Sequence, residues 1–260
     1  MSENEKKLNL TYKSETGVDR WLRENIYTKP EYKGIFVEVG AATPELISNS
    51  YHFRENGWRV IPIEPNPIFA TQFLNKGYEV WNYACSNYEQ DNVLFTIASK
   101  ENIQKVIKFD KSGVTFTEED IIDIENDISF HSFSHLSDSK WDNMADNYQK
   151  AYEDIKKTEI RVCVRKLDTI LENTNINEID ILCIDVEGGE EKVLQGFTVE
   201  KWKPNIVIIE NIDSKYNYDV YLPKYKKILR THYDDVYIRF DINQESEVKP
   251  KKRVSRKTKK

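Results

Sequence analysis

The stretch GIFVEVGAATPELISNSYHFRENGWRVIPIEPN, residues 34–66, decides the fold. It contains two short apolar runs, Ile35–Val39 and Arg59–Ile63, and each has the length of one strand rather than of an ordinary helix. Residues 44–56 lie between the two runs and suit a helix, which Gly57 is placed to end. The stretch therefore predicts a strand–helix–strand unit of a parallel sheet.

The turn after the first run predicts a ligand site, because ligands of open parallel sheets bind beyond the carboxyl ends of the strands. It carries an acid, Glu38, and a single glycine, Gly40, where a dinucleotide site would show G-x-G-x-x-G. Glu64 ends the second run and is placed to accept both hydroxyls of a ribose. An acid in the turn repels a pyrophosphate but suits a cationic nucleoside without phosphate, such as S-adenosylmethionine. The alternative is a generic unit whose acids are only solvated strand ends.

Two further apolar runs carry acids at their ends. Residues 179–186 read as a buried strand with Asp185 near its end; Glu187 follows, and Gly188 gives the freedom for a sharp turn. The run 205–210 ends in Glu210. Because an acid is costly to bury without a partner, we expect these acids at the open edge of the sheet. A solvated acidic loop is the alternative.

These segments resemble the FkbM-type S-adenosylmethionine-dependent methyltransferases. The combination of IEPNP with IDVEGGE is the specific part of the resemblance, which covers roughly residues 34–98 and 161–240. It implies an α/β, Rossmann-like class I methyltransferase fold: a mostly parallel central sheet, helices on both faces and an inserted lid. It also implies O-methylation, typically of a sugar or polyketide hydroxyl. The matching segments, in order, are FVEVGAATPELISNSYHF, GWRVIPIEPNP, YACSN, LDTIL, IDILCIDVEGGEEKVLQGF, KPNIVIIEN and DDVYIRF.

The resemblance also implies roles for individual residues. The turn after the first strand would meet the methionine part of the cofactor, Glu64 would bind its ribose, and the loop with Ser86 and Asn87 would lie beside its adenine. Asp185 would face the transferred methyl group. Ala42 stands where family members often carry a polar residue, so no side-chain contact is expected from it. The implied cofactor-binding residues are Glu38, Gly40, Ala41, Glu64, Asn66, Ser86, Asn87 and Asp185.

The acceptor side needs a group that removes a proton. The candidates, in order of preference, are Asp185 and Glu187, then His135, then Glu210. Crowded carboxylates raise one another's pKa, and the reference pKa of histidine, about 6.5, suits a general base. His131 is a weaker candidate, and a hydrogen-bonded loop histidine is the alternative for both histidines. The carboxylate cluster could bind Mg²⁺. However, the spacing of these residues does not predict a dedicated site of oxygen ligands, so we expect no metal dependence.

The length of 260 residues fits one α/β domain with additions. We expect a flexible N-terminus over 1–15, a methyltransferase domain over 16–244 with an insert at about 99–160, and a disordered basic tail over 245–260. The insert would form a lid or wall over the acceptor, with a helix over 141–157. For the C-terminal part, a helix followed by one strand competes with a hairpin of 226–231 and 236–240, which the resemblance favours. The other predicted elements are a helix over 16–26, core strands at about 35–39, 59–63, 79–83, 180–185 and 205–210, and an extra strand over 92–98 paired with 161–165.

The charge is unevenly distributed. Residues 249–260 hold eight Lys or Arg and no acid, which leaves −14 for the rest of a chain whose net charge is −6. This basic tail is a solvated extension, an electrostatic tether to an anionic partner, or a nuclear address. The acidic body disfavours nucleic acid as a substrate. The basic tail leaves two alternative functions. One is a nucleic-acid methyltransferase, and the other is a non-catalytic interaction module that acts through the tail.

Two observations bear on location. The chain has no apolar run near 18 residues, so no membrane span is predicted, and its first residues lack the apolar core of a secretory signal. Its three cysteines lack metal-like spacing and read as small buried hydrophobes of a reducing compartment. We therefore expect a cytoplasmic protein with a small-molecule or glycan hydroxyl as its acceptor; the oligomeric state is not predicted.

Overall fold

The computed structural model describes residues 8–99, 108–110, 113–115, 134–137 and 156–240. The strands are β1 Ile35–Val39, β2 Arg59–Ile63, β3 Ala84–Cys85, β4 Gln90–Ser99, β5 Lys108–Asp110, β6 Gly113–Thr115, β7 His135–Leu136, β8 Lys156–Arg165, β9 Ile181–Ile184, β10 Ile206–Glu210, β11 Tyr225–Arg230 and β12 Asp234–Arg239. The described α-helices are α1 Val18–Asn25, α2 Tyr51–Glu55, α3 Pro67–Asn75, α4 Leu167–Glu172, α5 Glu190–Gln195 and α6 Val199–Trp202. Two short 3-10 turns, Ile212–Ser214 and Tyr218–Tyr221, follow β10.

The larger sheet is mixed and mostly parallel. Its six strands run in the order β11-β12-β10-β9-β1-β2. The four strands β10, β9, β1 and β2 are parallel to one another, whereas β12 pairs antiparallel with both β10 and β11. The predicted α/β class, the four core strands and the C-terminal hairpin are confirmed. One edge of this sheet therefore gathers the carboxyl ends of four adjacent strands.

Both faces of this sheet are covered, because alternate strand residues point to opposite sides. On one face Val37 and Ile184 pack with apolar residues of α4, α5 and α6. On the other face Phe36 packs with Val18 and Leu22 of α1 and with Phe53 of α2. The short apolar runs read from the sequence are thus strands buried on both sides, as parallel strands are.

A smaller sheet, in the order β3-β8-β4-β7, stands beside the larger one. The predicted pairing of β4 with β8 is confirmed, and β8 begins earlier than expected, at Lys156. This sheet packs against α3 through Ile68 and Phe69. Lys156 and Lys157 lie in β8, so the helix predicted over 141–157 does not reach them; the rest of that helix lies outside the described residues, as do 116–127, His131 and the basic tail.

The strand predicted over 79–83 is wrong. Only Trp81 pairs with β2, through a bridge to Ile63 in which Trp81 donates to the Pro62 carbonyl and Glu64 donates to the Trp81 carbonyl. Extending the ladder would require an N–H from Pro62 to the carbonyl of Glu79, and proline has none. The pairing therefore stops after one bridge.

The helix predicted over 44–56 is shorter, since α2 begins only at Tyr51. The backbone groups before it find other partners: Thr43 Oγ1 accepts from the Leu46 N–H at 2.9 Å, and Glu38 Oε1 accepts from the N–H groups of Asn49 and Ser50. Such side-chain bonds compete with a helix for the backbone. Gly57 follows the helix with φ +84°, as predicted for its end.

No helix among the described residues is long and apolar enough to cross a membrane.

Candidate functional site

A cavity of about 350 Å³ opens at the carboxyl edge of the larger sheet. The ends of β1, β2, β9 and β10 contribute to its wall, and the smaller sheet closes one side of it. Its volume lies within the usual range of small-molecule sites, roughly 300–1,000 Å³. The predicted site residues that line it are Glu38, Gly40, Ala41, Glu64, Asn66, Asp185, Glu187 and Glu210.

Gly40 makes the first turn fit against the neighbouring strand. It has φ +78°, a conformation that glycine adopts readily, and its N–H donates to the Ile63 carbonyl at 2.9 Å. A Cβ atom at this position would lie 1.7 Å from the carbonyl oxygen of Asp185. The turn after β1 and the chain leaving β9 are therefore in direct backbone contact, which only glycine permits.

Glu64 lies at the end of β2 with its carboxylate already held by the backbone. Its Oε2 accepts from the Ala42 N–H at 2.8 Å, and its Oε1 accepts from the Asn66 N–H at 2.7 Å. Burial raises the pKa of Glu64 to about 8, and these two hydrogen bonds act in the opposite direction. The carboxylate is thus fixed in position at the cavity wall, with lone pairs left for a ligand.

Asn66 lies next to Glu64 and begins α3. Its Oδ1 accepts from the Ile68 N–H at 3.1 Å, which makes it the N-cap of that helix. The side chain is buried and lines the cavity. Its Nδ2 has no hydrogen-bond partner in the described part of the chain.

Glu38 is occupied mainly by the loop that precedes α2. Its Oε2 accepts from Ser50 Oγ at 2.5 Å, and its Oε1 accepts from two backbone N–H groups of the same loop. Burial raises the pKa of Glu38, while the bond from Ser50 and the nearby Arg54 guanidinium act to lower it. The residue lines the cavity, but its hydrogen bonds show that it also organises the wall.

Asp185, Glu187 and Glu210 form a carboxylate cluster at the other end of the cavity. Each offers one oxygen, and these three oxygens lie within 4.8 Å of one another, a spacing within reach of one divalent cation. Burial raises the pKa of all three well above its ordinary range, and repulsion from neighbouring carboxylates adds to the effect, while a hydrogen bond with Glu210 acts to lower the pKa of Asp185. The three carboxylates therefore hold their protons more strongly than exposed carboxylates do, and they titrate as a coupled group.

The loop that carries Glu187 is held by Glu190, the first residue of α5. Glu190 Oε1 accepts from the N–H groups of Val186 and Gly188, each at 3.1 Å. Between them Glu187 adopts φ +58°, which is uncommon for a residue other than glycine. The loop thus places the Glu187 side chain in the cavity wall.

Asp234 belongs to the same end of the cavity, although it is not among the predicted site residues. It is paired with Glu210 in the antiparallel ladder, which brings the start of β12 to the edge where the parallel strands end. Thr16 Oγ1 donates to its Oδ2 at 2.6 Å. The signal was the predicted hairpin itself, because an antiparallel return strand begins where its neighbour ends.

The smaller sheet gives the cavity an apolar side, which the sequence analysis also missed. Phe95 of β4 and Leu136 of β7 line it together with Phe69 and Tyr83. Phe95 and Leu136 are paired across the two strands and point to the same face. The cavity thus has an apolar part and an acidic part.

Three predicted site residues lie elsewhere. His135 is the neighbour of Leu136 in β7, and strand alternation turns it away from the cavity that Ser134 and Leu136 line. Ser86 is fully buried, and Asn87 donates to Gln195 Oε1 at 2.7 Å on the surface. None of the three is among the described residues that line the cavity. The predicted adenine-side loop touches the cavity through Tyr83, Ala84 and Cys85 instead.

The charged side chains in the described part of the cavity wall are all acidic. Seven carboxylate residues line it, and no Lys, Arg or His is found among the described residues of its wall. Such a site attracts cations and repels phosphates. The carboxylates concerned are Glu15, Glu38, Glu64, Asp185, Glu187, Glu210 and Asp234.

The comparisons with known proteins agree with the resemblance noted above. No curated protein and no solved structure matches the chain. The family model of the methyltransferase FkbM domain, however, matches residues 38–236, which is well over half of the chain and includes the ends of all four parallel strands. The chain therefore belongs to the FkbM methyltransferase family.

Proposed function

We propose that this methyltransferase uses S-adenosylmethionine and transfers the methyl group to a hydroxyl of a sugar or related acceptor, on a Rossmann-like class I fold. The observation that carries the proposal is one cavity that joins Gly40, Glu64 and Asp185, which follow or end three adjacent parallel strands. The antiparallel reversal at the end of the sheet supports the fold assignment, because the class usually has one.

The residues present fit the cofactor. S-adenosylmethionine bears a sulfonium and an ammonium group, and the acidic wall complements both charges. Glu64 offers acceptors to a ribose diol, and the buried Asn66 amide offers an unused donor beside it. The absence of a Cβ at Gly40 leaves the backbone open to close approach. Phe69 and Tyr83 supply apolar surface for a base ring.

When bound, S-adenosylmethionine supplies an electrophilic methyl group. The chain's own part is to orient the acceptor hydroxyl and to receive its proton. Asp185 and Glu187 are the candidate bases, since both line the cavity and burial raises the pKa of each, which makes it a stronger proton acceptor than an exposed carboxylate. Glu210 is within reach of both and either shares the proton or holds a second hydroxyl.

The carboxylate cluster of the cavity supports a hydroxyl-rich acceptor through the hydrogen bonds that it can accept. Clustered carboxylates accept hydrogen bonds from several neighbouring hydroxyls, which a sugar presents. They disfavour a phosphate backbone, so a nucleic-acid acceptor is the less suitable alternative. A scaffold role without turnover, acting through the basic tail, would leave the carboxylate cluster unused. We place this activity in the cytoplasm.

Binding and turnover test the proposal separately. Wild-type protein is expected to bind S-adenosylhomocysteine in calorimetry and to transfer labelled methyl groups to members of a glycan panel but not to DNA or RNA. Binding without transfer to any glycan would favour the scaffold role. Transfer to a nucleic acid would replace the proposed acceptor.

Asp185→Asn tests the base directly. We expect turnover to fall roughly 10²–10⁴-fold, the usual contribution of general-base catalysis, with the fold retained by circular dichroism. Glu191→Gln is the matched control, because Glu191 is exposed on the adjoining helix and binds only the Tyr221 hydroxyl among the described residues. Full turnover in Asp185→Asn would remove Asp185 from the base role.

Metal dependence is tested by a chelator. We expect turnover to persist in excess EDTA, because the three carboxylates already suffice as proton acceptors. A loss that Mg²⁺ restores would contradict this and would assign Asp185, Glu187 and Glu210 as its ligands.

A further inference from the structure

The N-terminal segment, residues 9–16, forms neither a helix nor a strand, yet hydrogen bonds hold it against α2. The Asn9 N–H donates to Asn56 Oδ1 at 2.8 Å, and Asn56 Nδ2 donates to the Asn9 carbonyl at 2.9 Å. The ring of His52, which is fully buried in α2, bonds through Nδ1 to the Thr11 carbonyl at 3.1 Å. The first half of the segment therefore has a fixed path along α2.

A buried carboxylate holds the second half of the segment. Asp19 lies in the first turn of α1 and is fully buried. Its Oδ2 accepts from the N–H groups of Lys13 and Ser14, at 2.8 and 3.2 Å. Such partners replace the hydration that a carboxylate loses on burial. The chain that follows these two bonds brings Glu15 and Thr16 to the cavity, and both residues line it.

Glu15 and Thr16 lie at the acidic end of the cavity. Thr16 Oγ1 donates to Asp234 Oδ2 at 2.6 Å, which joins the segment to the start of β12. Burial raises the pKa of Glu187, and the charges of nearby carboxylates, Glu15 among them, add to the effect. Glu15 itself is exposed, so its carboxylate is accessible to a molecule that enters the cavity.

The N-terminal segment precedes the part of the chain that matches the FkbM family model, residues 38–236. The proposed cofactor contacts Gly40, Glu64 and Asp185 all lie inside the match. The segment instead reaches the cavity where the carboxylate cluster lies, and this is the end at which the acceptor is proposed to bind. Its contribution to the cavity wall therefore suits recognition of the acceptor.

We propose that the N-terminal segment is part of the acceptor site, in which Glu15 accepts a hydrogen bond from one hydroxyl of the acceptor and Thr16 positions Asp234 to accept from another. This inference rests on the proposed transfer to a hydroxyl-bearing acceptor. The segment then helps to decide which sugar is methylated. A sugar without a hydroxyl at the matching position forfeits these bonds and is the poorer substrate.

The measurement is transfer of labelled methyl groups from S-adenosylmethionine to the methyl glycosides of glucose, galactose, mannose and rhamnose. We expect Glu15→Ala to lower kcat/KM for the preferred glycoside about tenfold, mainly through KM, which is the effect of one lost hydrogen bond. The affinity for S-adenosylhomocysteine, measured by calorimetry, should be unchanged. Glu24→Ala is the matched control, because Glu24 is exposed on α1 and does not line the cavity.

Two substitutions test the positioning role of Thr16. Thr16→Val keeps the shape of the side chain and removes the bond to Asp234, whereas Thr16→Ser keeps the hydroxyl. We expect Thr16→Val to lower kcat/KM roughly 3–10-fold and Thr16→Ser to retain most of it. The ratio of kcat/KM between the glycosides should also change in Thr16→Val, which a general loss of stability would not produce. Equal losses in the two variants would overturn the positioning role.

The outcomes distinguish this inference from the proposed function. Unchanged kcat/KM for every glycoside in Glu15→Ala overturns the inference, as does an equal loss in Glu24→Ala. A loss of S-adenosylhomocysteine affinity that matches the loss of kcat/KM also overturns it, because the segment then belongs to the cofactor site. If wild type methylates none of the glycosides, the proposed acceptor falls and the inference falls with it.

Discussion

At the scale of single residues, Gly40 is the position with the least freedom. An added Cβ would lie 1.7 Å from the Asp185 carbonyl oxygen, in backbone that cannot yield as a side chain would. We expect Gly40→Ala to lose several kcal/mol of unfolding free energy or to fail to fold. Gly77→Ala is the matched control: it has a similar φ of +73° but nothing within 4 Å, so about 1 kcal/mol is expected. Urea unfolding measures both, and equal losses would contradict the argument.

Glu64 predicts how cofactor binding depends on pH. Burial raises its pKa to about 8, so the free protein holds a proton there at neutral pH. In the proposed complex, ribose hydroxyls donate to the carboxylate and favour its ionised form, so we expect binding to release that proton and the affinity to rise with pH up to about 8.

Calorimetry of S-adenosylhomocysteine in buffers of different ionisation enthalpy counts the released protons. Glu64→Gln keeps the shape of the side chain and removes the titration, so its release should be smaller by up to one proton. The same release in both proteins would show that another group titrates.

Much of the site was legible at this scale. An acid that ends an apolar run has few places to go other than the open edge, which is why Glu64, Asp185 and Glu210 were found. Asp234 and Phe95 were not predicted as site residues. Their positions at the cavity depend on long-range strand pairing, which the sequence alone does not reveal. His135 does not line the cavity, because the alternation of side chains along β7 decides which way it points, and the sequence alone does not reveal that strand.

At the scale of elements, the loop between β9 and α5 depends on one carboxylate. Glu190 Oε1 accepts from the N–H groups of Val186 and Gly188 at 3.1 Å. We expect Glu190→Ala to speed hydrogen exchange at these two amides by about tenfold or more, since their acceptor is lost. Glu191→Ala, on the exposed side of the same helix, should leave them unchanged; equal effects would show that helix propensity, not the bond, protects them.

The strands and helices could be predicted where the hydrophobic pattern of the sequence agrees with the contacts that the segment makes in the fold. The runs that became β1, β2, β9 and β10 are mostly apolar, and most of their residues are buried. The strand expected over 79–83 failed because Pro62, on its partner, cannot donate the next bond of the ladder. The helix expected from residue 44 failed because Glu38, on another element, takes the N–H groups of Asn49 and Ser50.

At the scale of the whole molecule, the cavity makes stability depend on pH in an unusual direction. Burial raises the pKa of Asp185, Glu187 and Glu210 and raises that of Glu64 to about 8. Between the ordinary carboxyl pKa, about 4.3, and these raised values, the folded chain holds more protons than the unfolded chain. These groups therefore contribute most to the free energy of unfolding below the ordinary carboxyl pKa. Their contribution falls as the pH rises toward the raised pKa values.

Glu210→Gln removes one of the buried charges. We expect it to raise the unfolding midpoint at pH 8 and to flatten the decline between pH 6 and pH 8 relative to wild type. Glu24→Gln is the control and should follow the wild-type profile, because Glu24 is exposed on α1 and does not line the cavity. A wild-type protein that gains stability from pH 6 to pH 8, or a Glu210→Gln profile parallel to wild type, would contradict the prediction.

The close approach of Gly40 to Asp185 has a mechanical consequence for the reaction. The strand tip proposed to meet the cofactor and the chain that carries Asp185, the proposed base, touch through their backbones, so neither can shift without displacing the other. The separation between donor and acceptor groups is then set by the spacing of two hydrogen-bonded strands, about 4.8 Å, rather than by a pliant side chain. In the proposed reaction, the relative position of the two groups is therefore fixed by folding of the sheet and needs no later rearrangement.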